Sequence, residues 1–139
     1  MKNMTYATLI KQFCKKTLGL DMYVREDREW ATDCYNTIYY CKYFYRDGDI
    51  AFFNNFVERC PIAAKYSDFL LSLLHEMGHI VTSEQMDRAK DDTYTYEEYF
   101  AMHDEMIATN WAIQFLEDKH NIKILKWFEE QYRAIKKAS

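Results

Sequence analysis

Glycine and proline are scarce, with three Gly and one Pro in 139 residues. These residues punctuate turns and irregular loops, so their scarcity points to a chain made mostly of regular elements. Basic charge is not in excess either. Eighteen Lys and Arg against 22 Asp and Glu give a formal net charge of −4. That balance argues against nucleic acid as a direct partner, because phosphate contacts call for a basic face. Basic residues do gather in KILKWFEEQYRAIKKAS, but Glu129 and Glu130 interrupt them, and the stretch reads as a solvated helix with cations near its C-terminal pole. No apolar run approaches the ~20 residues of a membrane span, so no membrane partner is expected. The opening MKNMTYATLIKQF has no apolar h-region of a signal peptide. Cys14, Cys34, Cys41 and Cys60 show no C-x-x-C spacing. They are expected to be reduced, half-buried thiols of a cytoplasmic protein, without a motif for a cysteine nucleophile.

What is present is apolar and aromatic. A hydrophobic fraction of 49% with 17% aromatics excludes disorder, which needs few aromatics and a large charge imbalance. The length suits one domain over residues 1–139 with a real core. TYATLIKQFCKKTLGL reads as a helix capped by Thr5 and ended near Gly19, with Leu9, Ile10 and Phe13 on one face. A polar stretch follows through DREWATD. CYNTIYYCKYFY is rich in residues that fit a pleated surface. With the Asp47-Gly48 turn and IAFFN it predicts an antiparallel hairpin. A base-stacking platform is the other use of such aromatics, but a buried strand is the simpler reading. Pro61 breaks the chain. A helix then runs from Ser67 or Asp68 to Val81, followed by a polar connection (TSEQMDRAKDDTYT). A long helix covers YEEYFAMHDEMIATNWAIQFLED and a last one IKILKWFEEQYRAIKK, with a weak break at 119–121. The expected fold class is α+β: a helix, an antiparallel sheet, then three helices.

The chemistry concentrates in LLHEMGHIV, residues 73–81. Four residues is close to one helical turn, so His75 and His79 project from one face and can reach a single cation. Neutral imidazole is a good zinc ligand, and Glu76, one step round, stands where a general base for an activated water must sit. Shuffling four His and eleven Glu yields H-E-x-x-H roughly one time in a hundred, and burying these groups without partners is costly. A metal site is therefore the better reading. Gly78, costing ~1 kcal/mol relative to Ala in a helix, suggests that another element approaches closely there.

A catalytic zinc keeps three protein ligands and one open position. The downstream helix is the natural source of the third. Glu105 shares a face with Ala101, Ala108 and Ala112, a strip of small residues that lets two helices pack closely. Asp104 faces Phe100, Ile107 and Trp111 on a shorter arm, and His103 is a third candidate. Glu105 is preferred of the three. His103, Tyr94, Tyr96 and Tyr99 are candidates for a second oxyanion donor.

IAFFN, FLLSLLHEMGHI and EMIATNWAIQFL together resemble the ImmA/IrrE metallopeptidases, gluzincins common in bacteria and their mobile elements, over about residues 50–116. In that family a strand ending near an Asn precedes the metal helix, and a segment E-x-x-A-N-x-F-A-x-x-L-L supplies the third ligand. Glu105, Ala108, Trp111, Ala112, Phe115 and Leu116 match it, while Thr109 stands where Asn is usual. The resemblance implies a small zincin-like domain with Zn²⁺ on His75, His79 and Glu105 and with Glu76 as the catalytic base. It also implies cleavage of a narrow protein substrate, typically a transcriptional repressor. Family members often carry a helix-turn-helix domain, and none is evident here. The IAFFN strand, at the cleft edge, would pair with an extended substrate. The competing class is a zinc-stabilised interaction protein that binds a regulator without cutting it. Glu76 argues for the enzyme, since a structural zinc needs no base.

Overall fold

The first helix forms where an N-cap and an apolar 3–4 repeat coincide. The computed structural model describes residues 4–43, 47–83, 95 and 102–138, and in it α1 spans Tyr6–Leu18. Thr5 Oγ1 accepts from the Thr8 N–H at 3.1 Å. Gly19 closes the other end at φ 70°, returning its N–H to the Lys15 carbonyl. That left-handed backbone is one that a residue without Cβ adopts at no steric cost. Leu9, Ile10, Phe13 and Cys14 make the buried face.

Three short strands follow: β1 (Tyr23–Glu26), β2 (Ala31–Thr32) and β3 (Thr37–Tyr40). β3 is central, parallel to β1 and antiparallel to β2. One carboxylate turns the chain from β2 into β3. Asp33 Oδ1 accepts from the N–H groups of Tyr35, Asn36 and Thr37 at 2.8, 3.0 and 3.0 Å, while Cys34 takes φ 61°. The expected hairpin between 34–45 and IAFFN does not form, since Asp47-Gly48 opens a helix instead of a turn. The antiparallel pair observed is β2 with β3, and parallel β1 makes the sheet mixed where an antiparallel one was expected. β1 and β2 were not anticipated, and β3 occupies 37–40 of the stretch 34–45.

The second expected strand is overturned. IAFFN lies inside a helix, α2, Asp47–Arg59. The reason is legible in hindsight: Phe52, Phe53, Phe56, Val57 and Cys60 recur at 3- and 4-residue intervals, and Asp47 and Asp49 fall in the first turn, where the helix dipole favours negative charge. Strand-type residues lost to helical periodicity. The strand before the metal helix that the family resemblance implies is therefore absent at this position, and so is the substrate-pairing edge.

A 3₁₀ turn, Pro61–Lys65, leads into α3 (Asp68–Val81), α4 (His103–Glu117), a 3₁₀ turn at Lys119–Asn121 and α5 (Ile122–Ala138). The turn at 119–121 is the expected weak break. Residues 84–94 and 96–101, which hold most of the expected polar connection and the start of the expected long helix, lie outside the described residues. α4 itself is shorter than expected, because Met102 is extended and caps a helix that begins at His103. Among the described residues five α-helices accompany one small sheet, an α+β fold that is mostly helical. No described helix is long and apolar enough to cross a membrane.

Phe69, at the start of α3, knits the layers together. It packs against Trp30 (ring centroids 4.9 Å apart), Tyr132 (4.8 Å), Tyr6 (5.2 Å) and Phe128 (6.2 Å), so the sheet side, α1 and α5 meet on one ring. The four cysteines form no disulfide with one another; Cys14, Cys41 and Cys60 are buried and Cys34 is half-buried. Burial pushes the Cys14 thiol up to about 12, which leaves it a poor nucleophile.

The N-terminus of α3 is clamped from α5. Ser67 Oγ accepts from the Leu70 N–H at 3.2 Å and donates to Glu129 Oε2 at 2.8 Å, while the Ser67 N–H donates to Glu129 Oε1 at 2.5 Å. Glu129 is buried. Glu129→Ala leaves that backbone N–H without an acceptor and is expected to cost ~1–3 kcal/mol, more than the ~1 kcal/mol of losing the cap hydroxyl in Ser67→Ala. Urea denaturation of the two variants measures the order.

Candidate metal centre

From Phe69 to His79 every residue of α3 is buried, so this helix is core on all sides. Fully burying each of Leu70, Leu71, Leu73 and Leu74 stabilises the fold by roughly 1.5–3 kcal/mol. The same burial makes His75, Glu76 and His79 expensive unless they find partners. Those partners come from α4.

α4 reaches them because α3 carries a glycine at the crossing. A Cβ placed on Gly78 would collide with the Ala108 carbonyl group, and even the Ala108 Cα would lie 3.0 Å away. Ala108 and Ala112 are fully buried. The expected close approach is therefore real and has backbone on the other side. Ala101, the remaining member of the expected alanine strip, lies outside the described residues. Glu105, in the first turn of α4, where a carboxylate suits the dipole, is delivered onto both imidazoles.

The contacts are short and converge. Glu105 Oε1 lies 2.9 Å from His75 Nε2 and Oε2 lies 3.0 Å from His79 Nε2. The two Nε2 atoms are 3.1 Å apart, with the rings at 89° to each other. Burial raises Glu105, but hydrogen bonds from His75 and His79 and their charge outweigh it and hold this carboxyl far below its usual range. An ionised carboxylate only accepts, so each Nε2 presents it a proton. Two N–H groups facing each other at 3.1 Å cannot bond to one another. A cation in place of those protons turns the same approach into shared coordination.

The spacing supports this. A tetrahedral cation with bonds of ~2.0–2.1 Å separates its ligand atoms by about 3.3–3.5 Å. The three side chains each offer one ligand atom within 4.8 Å of the others, the 2.9 and 3.0 Å contacts going to the two different oxygens of Glu105. His75, His79 and Glu105 form the group, among the described residues, whose ligand atoms are gathered closely enough to hold a metal ion. The three are buried, with side chains 5–11% exposed.

Neighbouring groups tune the cluster. Burial pulls His79 down, but Glu105, by hydrogen bond and charge, and then Glu76 and Asp104, leave it raised. Burial raises the Glu76 carboxyl, against the pull of His75 and His79 and with the push of Glu105. That direction suits a general base, whose best pKa lies near the working pH.

Of the expected third ligands, Glu105 joins the group. Asp104 is buried and acts on His79 through its charge, but is not one of the three. His103 is exposed at the start of α4. Tyr94, Tyr96 and Tyr99 lie outside the described residues. Two further side chains touch His75. Thr109 Oγ1 lies 2.9 Å from His75 Nδ1, and Phe52 of α2 packs edge-on against the His75 ring, centroids 5.2 Å apart. The period of Glu105 and Thr109, one turn apart on α4, was the available signal for the first. The helical repeat of α2 was the signal for the second. No family model, no curated protein and no solved structure matches the chain.

Gly78→Ala gains ~1 kcal/mol of helix propensity yet drives a methyl into backbone. The expected net result is a loss of ~1–3 kcal/mol in denaturant unfolding, with weakened metal uptake as α4 is pushed off. The pH dependence follows from signs. Glu105 is lowered, so its contribution holds above its ordinary 4.5 and fades as pH falls below it. His79 is raised, so its contribution holds below its ordinary 6.5 and fades as pH rises past it. Glu76, raised by burial, also loses stability on the way up. Thermal unfolding of chelator-treated protein should thus show Tm falling from about pH 6 to about pH 8. Metal should reverse that fall, and Glu105→Gln should flatten it.

Proposed function

We propose that the chain is a zinc-dependent peptidase that hydrolyses peptide bonds in a narrow set of protein substrates. The observation that carries this reading is the convergence of His75, His79 and Glu105, with Glu76 beside them on the same buried helix. Two imidazoles and one carboxylate are a ligand set that zinc takes in catalytic sites, leaving one position for water. When bound, zinc lowers the pKa of that water towards ~7 and polarises a carbonyl. His75 and His79 hold the site from α3, and Glu105 neutralises part of its charge from α4. Glu76 takes the proton of the attacking water on its carboxylate and hands it to the leaving amine. Phe52, edge-on to His75, puts an apolar ring beside the centre, and electrostatic effects strengthen where water is excluded.

The resemblance to ImmA/IrrE metallopeptidases supports the same chemistry and points to a transcriptional repressor as the substrate. The acidic balance of the chain fits a protein partner better than direct nucleic-acid contact. A cytoplasmic setting accords with four cysteines that form no disulfide with one another.

The test has two parts. Metal analysis of protein purified from zinc-containing medium should give about one zinc per chain, with little left in His75→Ala. Incubation with a proteome-derived peptide library, read by mass spectrometry, should then yield new N-termini that vanish in Glu76→Gln although that variant keeps its zinc. Equal cleavage by Glu76→Gln would sink the peptidase reading. Zinc uptake with no cleavage and undiminished biological effect of Glu76→Gln would make the chain a zinc-binding interaction protein.

A further inference from the structure

A metal-ligating imidazole has a second nitrogen, and what that nitrogen touches fixes the tautomer and the plane of the ring. In His75 it touches Thr109. Oγ1 lies 2.9 Å from Nδ1, and Thr109 is buried at 6% exposure. Both belong to the helix pair that the Gly78–Ala108 approach holds together. Glu105 and Thr109 stand one turn apart on α4, so one helix face supplies a partner to each nitrogen of the same ring: a carboxylate oxygen to Nε2 and a hydroxyl to Nδ1.

We propose that Thr109 is the positioning residue of the metal centre: its hydroxyl accepts the Nδ1 proton of His75 and thereby presents a bare Nε2 to the cation. The proposal rests on the metal reading above and adds to it a residue that acts through His75. A hydroxyl suits the place for a reason of chemistry. When Nε2 is the ligand, the ring proton is on Nδ1 and Thr109 accepts. In the metal-free chain Nε2–H donates to Glu105, and the neutral ring then has a bare Nδ1, to which Thr109 donates. A threonine does both by rotating one O–H bond, whereas a carbonyl or carboxylate oxygen only accepts. The ring thus keeps a partner on each side, and keeps its edge contact with Phe52, whether or not metal is bound. Metal capture needs a proton to change nitrogen, not a ring to turn.

The test compares wild type, Thr109→Val and Thr109→Ser. Zinc affinity is read by competition with a chromophoric chelator, and the His75 tautomer by ¹⁵N-histidine NMR with and without zinc. Val keeps the shape and removes the hydroxyl, and zinc affinity is expected to fall ~10–100-fold; Ser, which keeps it, should recover most of the loss. The wild-type spectrum should show the His75 proton on Nδ1 in the zinc-loaded protein and on Nε2 in the metal-free protein. The proposal is overturned if Thr109→Val binds zinc as tightly as wild type, if Ser fails as badly as Val, or if the loaded protein carries the proton on Nε2. Should Val not fold, the Ser variant and the wild-type spectrum decide it. Folded wild type that takes up no zinc overturns the metal reading itself, a result distinct from tight binding that ignores residue 109.

Discussion

Two helices that touch backbone to side-chain-free backbone govern this molecule. At Gly78 the α3 chain comes so near to Ala108 of α4 that there is no room for a methyl group. Ordinary helix pairs keep their axes 8–10 Å apart through interleaved side chains. Removing the side chain at the crossing brings the flanking positions within reach of one another. His75 and His79, which flank Gly78 on α3, and Glu105 and Thr109, which flank Ala108 on α4, are those positions. The cluster is a consequence of the crossing.

Such closeness has an energetic cost that the rest of the fold offsets. Two imidazoles and two carboxylates sit among buried apolar residues of a helix pair, and desolvation works against the charged forms of Glu76, His79 and Glu105. The surrounding core holds them there. Leu70, Leu71, Leu73, Leu74 and Met77 are fully or almost fully buried on α3, Phe69 ties the helix to the sheet side and to α5, and Glu129 fastens its N-cap. A rigid apolar frame around a polar cluster keeps the three ligand atoms converged even though each prefers water. That is the arrangement a preorganised metal site requires.

The α2 helix shows how a local reading goes astray. Ile50, Phe52 and Phe53 are β-branched or aromatic, which favours a strand for 50–54 taken alone. Extended to Cys60, the same apolar residues fall on one helical stripe, and tertiary packing rewards the stripe: Phe56 is fully buried and Phe52 reaches His75. The sheet had the opposite difficulty. β1 and β2 have four and two residues, mostly exposed or half-exposed, so no apolar alternation announces them. Their pairing rests on backbone hydrogen bonds and on the Asp33 turn. Strand propensity in 37–40 was readable, whereas its parallel partner at 23–26 was a long-range matter.

The helix carrying H-E-x-x-H, its cap at Ser67, the α1 helix with its Thr5 and Gly19 ends, and the pairing of His75 with His79 on one face were all determined by the sequence itself. Each depends on neighbours within a turn or two, where periodicity and capping chemistry act alone. Gly78 even announced that something would come near. Which element came, and which of His103, Asp104 and Glu105 it turned inward, was decided by the tertiary structure. That choice depends on the rotation of α4 about its own axis, and the rotation is settled by the contact of Ala108 with Gly78, thirty residues away in the chain. The hydroxyl of Thr109 on His75 and the ring of Phe52 beside it follow from the same docking. Local sequence specifies which groups a helix offers; only packing specifies which of them meet.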